Sequence, residues 1–354
     1  MKNGVFGVAL LAIAFSITSN AVALNITFAE RWLYWPMVGL LIALTAALDF
    51  AINHRPHVRT PALAVGWIAV VVCGVLTISQ NRIWHDEATL YEEVIARGGD
   101  TARVRANLAG YYLETGQIEK ARAHLEKARQ KNPDHAQVLR VMGMLLSAEG
   151  DFSAATNWFV RAQAVEPSNP AIPIWLATCQ EQLGDLAAAE ATLHTATLRS
   201  SGGLPELRLA NFYYRHEKFE EAERALRDLL QRDPQSAAAH NTLGTVLFRK
   251  GDPSAARRHF LSALRYDRWL VDAHANLAAL ADAQGDLVQA KKYYRDALHL
   301  APQNAELHYA LAVLLAHHGQ RGDAQRALEH ALELDPHLES ARQLLNTLNQ
   351  QKAN

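Results

Sequence analysis

The chain has 354 residues, 49% hydrophobic and 20% charged, with 35 basic against 36 acidic side chains. That length allows two or three units at about 100–200 residues each, and a net charge of -1 gives no global field to attract nucleic acid. Two cysteines, Cys73 and Cys179, exclude a disulfide framework and a zinc ribbon, and the apolar content excludes a disordered chain.

The mean hydropathy of -0.10 hides an uneven distribution. Five basic and two acidic residues are all the ionisable Lys, Arg, Asp and Glu side chains up to Arg82. Three apolar runs fill that stretch, Gly4–Leu24, Leu33–Ile52 and Pro61–Ser79. Each has the ~20 residues that a helix needs to cross a bilayer core of ~30 Å. Asp49 is the one ionisable side chain within them and sits a turn from the end of its run, where it reaches the interface. Trp32, Tyr34 and Trp35 form an aromatic belt, and Cys73 packs mid-membrane. Lys2, Arg55 and Arg59 place the amino terminus and the loop Asn53–Thr60 in the cytoplasm, so everything after the third span is expected outside it. Lys2, an apolar stretch and Ala21-Val22-Ala23 also fit a cleavable signal peptide; cleavage would leave two spans and the same final side.

Residues 83–101 read as a connecting helix, with Trp84–Ala96 tying the third span to the first repeat. From Ala102 to Leu338 the sequence repeats seven times with a period of 34 residues. Small residues recur at Ala109, Gly143, Ala177, Ala210, Gly244, Ala278 and Ala312. Glycine recurs at 116, 150, 184, 251, 285 and 319, with Glu217 in its place in the fourth repeat. Alanine follows five residues later, and a large apolar residue (Leu125, Phe159, Leu193, Leu226, Phe260, Tyr294, Leu328) four beyond that. Prolines at 133, 167, 234, 302 and 336 close most units, while Ser201 and Arg268 replace them in two. This is the tetratricopeptide pattern at its period: helix hairpins A and B whose apolar faces are buried by stacking. Small residues let helices approach, the turn residue takes a left-handed conformation, and proline stops helix B. The third repeat is one residue short, with Ser200-Ser201-Gly202-Gly203 as its exit, and residues 339–354 read as a polar-faced capping helix. The expected fold is therefore all-α: a membrane anchor over residues 1–82 with three transmembrane helices, followed by a tetratricopeptide-repeat α-solenoid.

The A helices are expected to line a concave groove through their second, fifth, ninth, twelfth and thirteenth positions. Those positions supply Arg103, Arg140, Asn211, Tyr214, Arg215, Asn241, Phe248 and Arg249 as candidate peptide-binding residues. Amides can bond a peptide backbone, and arginine can hold a carboxylate bidentately. His240, His274 and His308 recur at the repeat period, but on separate repeats they stand too far apart to share an ion and read as packing residues. His317-His318 is discounted as a ligand pair because adjacent helix positions diverge. No nucleophile elbow, phosphate loop or HExxH motif occurs, so no catalytic residue, cofactor or metal is assigned.

A family resemblance adds to this. Ser19-Asn20, Ala29-Glu30-Arg31-Trp32-Leu33-Tyr34-Trp35-Pro36 with Gly39, and Asn81-Arg82-Ile83-Trp84-His85-Asp86-Glu87-Ala88-Thr89-Leu90, taken with the repeats, resemble the C-terminal part of transmembrane and tetratricopeptide-repeat O-mannosyltransferases and their bacterial homologues. The resemblance implies a GT-C glycosyltransferase context with a lipid-phosphate sugar donor and repeats outside the cytoplasm. Trp32 and Met37 depart from the usual Tyr and Ser. The family's acidic catalytic pair lies in a loop before the region that this chain matches, so catalysis by this chain alone is not expected. Glu30 and Arg31 are the candidates for a donor phosphate. Two roles are expected: a membrane-anchored protein in a bacterial inner membrane, presenting its groove to a protein or peptide on the periplasmic or external side, or a portion of a transferase that works with a separate membrane glycosyltransferase subunit. The expected partners are thus a protein or peptide, the lipid bilayer and that subunit, and not nucleic acid.

Overall fold

Each repeat forms two helices because alanine and one large apolar residue recur at i, i+4 and i+7, a stripe along one side of a helix. In the computed structural model, residues 86–199 and 202–353 are described, and all of their regular structure is α-helical. Contacts divide the chain into two compact units, the first ending at Ala148 and the second starting at Glu149. The three predicted membrane spans lie outside the described residues, and among the described residues no helix is long and apolar enough to cross a membrane.

In the first unit, α1 (Glu87–Ala96) packs on α2 (Ala102–Glu114), which pairs with α3 (Ile118–Lys131) and α4 (Ala136–Ala148). Thr101 caps α2 by accepting from the Val104 amide. Ala121, Leu125 and Ala128 of α3 are buried at that spacing. Tyr111 donates to Asp86 and Tyr112 donates to Glu92 at 2.7 Å, which fastens α1 to the first repeat.

The second unit runs α5 (Phe152–Val165), α6 (Ala171–Gln182), α7 (Leu186–Arg199), α8 (Leu204–Arg215), α9 (Phe219–Arg232), α10 (Ala237–Arg249), α11 (Pro253–Tyr266), α12 (Val271–Ala283), α13 (Leu287–Leu300), α14 (Ala305–His317), α15 (Arg321–Leu334) and α16 (Glu339–Ala353). From α6 to α15 the even-numbered helices are the A helices of their repeats and the odd-numbered ones the B helices. Three-residue turns such as His216–Lys218 join A to B, which makes each pair antiparallel. Buried residues of the B helices repeat the stripe: Ala189, Leu193 and Ala196, then Ala222, Leu226 and Leu229, then Ala256, Phe260 and Ala263. Fully burying one leucine or phenylalanine of this set stabilises the fold by about 1.5–3 kcal/mol.

Two positions show what the repeat requires. A Cβ on Gly244 would lie 2.6 Å from the Phe260 ring, so glycine there sets how closely α10 approaches α11. Glu217 has φ of 59°, the left-handed conformation that glycine takes in the other repeats. The Lys218 amide still donates to the Tyr213 carbonyl at 2.9 Å, the same closing bond as Asp252 to Leu247. Tertiary geometry therefore imposes this turn on a residue that resists it. The following B helix also lacks a side-chain cap at Lys218, whereas Asp151, Asp252 and Asp286 cap theirs.

Candidate functional site

The A helices of the fourth and fifth repeats, α8 and α10, carry most of the predicted binding residues. Helical spacing places Arg208, Asn211 and Arg215 along one stripe of α8. Arg215 donates to both carboxylate oxygens of Glu181 on α6, from Nε at 3.0 Å and Nη2 at 2.6 Å. His216 stands 2.9 Å from the same carboxylate. Burial would raise the Glu181 pKa, but the hydrogen bonds and charges of Arg215 and His216 outweigh it and hold the carboxyl below its ordinary range.

Between α6 and α8 lies a cleft of about 340 Å³, lined by Ile174, Ala177, Thr178, Glu181, Gln182, Leu193, Arg208 and Arg215. Its floor is apolar and its rim is polar. Arg208 is exposed there and makes no ion pair among the described residues, while Arg215 remains half-exposed beside Glu181. The Arg249 guanidinium of α10 lies 5.9 Å from the centre of the Tyr214 ring, extending the cationic stripe to the next repeat. The two arginines of the cleft exceed its one acid, so the rim favours an anion. Arginine meets a carboxylate with two parallel hydrogen bonds where the geometry allows.

Farther along, Asn276 of α12 donates to Asn241 of α10 at 2.9 Å and to Thr245 at 3.3 Å. One amide of that pair is thus engaged with its neighbour while its remaining groups stay on the face. Phe248 is half-buried and packs against the core of the second unit, as Tyr214 does; its ring is chiefly structural. Arg103 is exposed on α2 and Arg140 half-buried on α4, where it donates to Gln137. Both belong to the first unit. Glu30 and Arg31 lie outside the described residues. Arg208 and Asn276, at the sixth position, fall outside the positions read from the sequence, and Glu181, although at the twelfth, is not singled out there. The available signal is an acid at the twelfth position followed one repeat later by basic residues at the thirteenth and fourteenth.

The recurring histidines have one shared role. His240 Nε2 lies 3.2 Å from the Pro234 carbonyl, His274 Nε2 3.2 Å from that of Arg268, and His308 Nε2 3.0 Å from that of Pro302. Protonated at Nε2, each ring donates to the carbonyl six residues earlier and ties helix A to the preceding turn. Arg342 makes the equivalent bond to Pro336 in the capping helix. At His317-His318 the expected divergence does not occur. His317 ends α14, His318 has left the helix with φ of -92° and ψ of 18°, and both rings turn to Asp282.

The tetratricopeptide-repeat sequence pattern matches residues 88–145, 146–206 and 281–348, and a second form of it matches 207–273. Among known proteins, 146 residues are 25% identical to human protein O-mannosyl-transferase TMTC1, covering 41% of this chain and 17% of that protein. A 167-residue stretch is 25% identical to lipopolysaccharide assembly protein B of Escherichia coli K12, covering 45% of this chain and 43% of that protein. The chain therefore spans well under two thirds of these relatives. The yeast Tom70 crystal structure superposes with a TM-score of 0.63 at 18% identity, over 75% of this chain and 58% of that one. A tetratricopeptide repeat protein of Parabacteroides merdae superposes with a TM-score of 0.55 at 16% identity, over 73% and 98%. At these identities the structures share the fold, an all-α solenoid of repeats.

Proposed function

We propose that this chain, which belongs to the tetratricopeptide-repeat family, is a membrane-anchored interaction protein whose A-helix face binds an acidic peptide segment of a partner outside the cytoplasm. The observation that carries this reading is the cleft between α6 and α8, where Arg208 and Arg215 stand over Ile174, Ala177 and Leu193. Apolar side chains of a bound segment fit that floor, and a carboxylate fits the guanidinium rim. The amides of Asn211, Asn241 and Asn276 offer donors and acceptors to an extended backbone. The fold supports a role in protein interaction. The anchor and the side of the membrane rest on the apolar runs and the loop charges.

A display selection of acidic, neutral and basic peptides on the purified chain tests the binding. Acidic sequences with flanking apolar residues are expected, and their binding is expected to fall in an Arg208→Ala/Arg215→Ala variant. Enrichment of basic peptides, or binding equal in the variant, contradicts the assignment. A phosphatase reporter fused after Asn354 tests the topology: activity is expected, and an inactive reporter on a stable fusion places the repeats in the cytoplasm.

A second reading has its own support in the matches to two O-mannosyl-transferases, human TMTC1 and Drosophila melanogaster Tmtc2. On that reading the repeats serve a glycosyl-transfer reaction whose acid or base lies on another membrane subunit, with Glu30 and Arg31 near the donor phosphate. It predicts co-purification with a multi-span membrane protein in mild detergent, and recovery of the chain alone argues against it.

A further inference from the structure

The contact between Glu181 and Arg215–His216 has a counterpart farther along the solenoid. In the first pair, the acid at the twelfth position of one A helix meets the thirteenth and fourteenth residues of the next. In the second, Asp282 of α12 holds the twelfth position, and His317 and His318 at the end of α14 hold the thirteenth and fourteenth. His318 Nε2 is 2.7 Å from Asp282 Oδ1, and His317 Nδ1 is 3.5 Å from the same oxygen. The two rings meet edge to face with centroids 5.2 Å apart. One ligand atom from each of the three residues lies within 4.8 Å of the others.

The difference between the counterparts is chemical. At Glu181 the thirteenth residue is arginine, a permanent cation with no lone pair to offer, and its guanidinium fills the space beside the carboxylate. At Asp282 both partners are imidazoles, and among the described residues no lysine or arginine pairs with the acid. Two neutral imidazoles and a carboxylate suit zinc and its neighbours better than magnesium or calcium. Bonds of ~2.0–2.1 Å in a tetrahedron separate the ligand atoms by about 3.3–3.4 Å. The His317–Asp282 distance already matches, and the His318–Asp282 pair needs to open by about 0.6 Å relative to that edge.

We propose that Asp282 Oδ1, His317 Nδ1 and His318 Nε2 form a site for a divalent transition-metal ion of the zinc class. Binding needs the lone pair of His318 Nε2, so the proton there moves to Nδ1 of the same ring or, from an imidazolium, to solvent. The ion would link the last turns of α12 and α14. His317 is 71% exposed at its side chain, which leaves the fourth position open to water or to a ligand from a partner.

The test is a Zn²⁺ titration by calorimetry, with Co²⁺ as a visible-absorption probe, on the purified full chain freed of metal by chelator. Asp282→Asn, His317→Ala and His318→Ala are compared with His299→Ala, which removes an exposed histidine elsewhere. Each site variant is expected to weaken one Zn²⁺ equivalent by about tenfold or more, the lower end of what even indirect partners of metal ligands contribute. His299→Ala should bind as the parent does, and Mg²⁺ should not compete. Binding that is unchanged in Asp282→Asn and His317→Ala overturns the proposal, as does loss in His299→Ala equal to that in the site variants. His317 makes only the longer contact, so His317→Ala keeps the test decisive even where His318→Ala disturbs folding.

Discussion

Arg215 on α8 grips Glu181 on α6 through two hydrogen bonds, 34 residues earlier in the chain. The pair joins consecutive A helices at the mouth of the cleft and holds one guanidinium edge where a ligand carboxylate would meet it. Glu181 is mostly shielded, with 16% of its side chain exposed, whereas Arg215 is 53% exposed, so the contact is partly screened by solvent.

Glu181→Gln is therefore expected to cost about 1 kcal/mol or less at neutral pH. The folded-state pKa of Glu181 is depressed, so its contribution is complete above the unfolded value near 4.5. It is lost as pH falls through the lower folded value. Urea unfolding of the parent and the variant should show a gap at pH 7 that closes as pH falls below the unfolded value near 4.5 and through the lower folded value. A gap that widens on acidification contradicts the assignment.

Gly244→Ala places a methyl group 2.6 Å from the Phe260 ring. Overpacking at such a contact costs about 1–3 kcal/mol. A second change, Phe260→Leu, should make the alanine less harmful than it is alone. Denaturant midpoints of the two single variants and the double variant measure this coupling, and strict additivity would show that the ring is not what the methyl meets.

Glu217→Gly is expected to stabilise the chain. A left-handed non-glycine residue costs about 1–2 kcal/mol, offset in part by the roughly 0.5–1 kcal/mol that glycine loses in conformational freedom. The net gain should lie between about 0 and 1.5 kcal/mol. A raised thermal midpoint checks it, and a lowered one would mean that the Glu217 side chain contributes more than its backbone strain.

His308→Phe keeps an aromatic ring but removes the donor to the Pro302 carbonyl. A loss of about 1 kcal/mol is expected, read by denaturant unfolding. Unchanged stability would show that ring packing alone explains the recurrence of histidine at this position.

Much of the repeat core is legible in the sequence because its spacing is a packing requirement. Ala222 and Leu226, or Ala256 and Phe260, are readable four residues apart since only that stripe faces the neighbouring helix. The left-handed turn at Glu217 is visible only as a departure, because glutamate carries no mark of the conformation that its neighbours impose. The candidate site is half legible. Arg215 and Arg249 follow from their positions on single helices, but Glu181 and Asn276 act through their offset from a neighbouring A helix, the following one for Glu181 and the preceding one for Asn276, which one repeat read alone does not contain. His317-His318 defies its sequence expectation for a related reason: the divergence rule holds inside a helix, and His318 lies past the end of one.

The central claim, that the A-helix face rather than the B-helix face meets the partner, has a direct test in living cells. A photo-crosslinking amino acid is placed at Thr178 on the cleft, or at Val288 on the B helix α13, a residue that is 78% exposed. A discrete adduct from position 178, absent from position 288 and lost when Arg208 and Arg215 become alanine, is the predicted result. An adduct from position 288 alone, or one from position 178 that persists without those arginines, would contradict it.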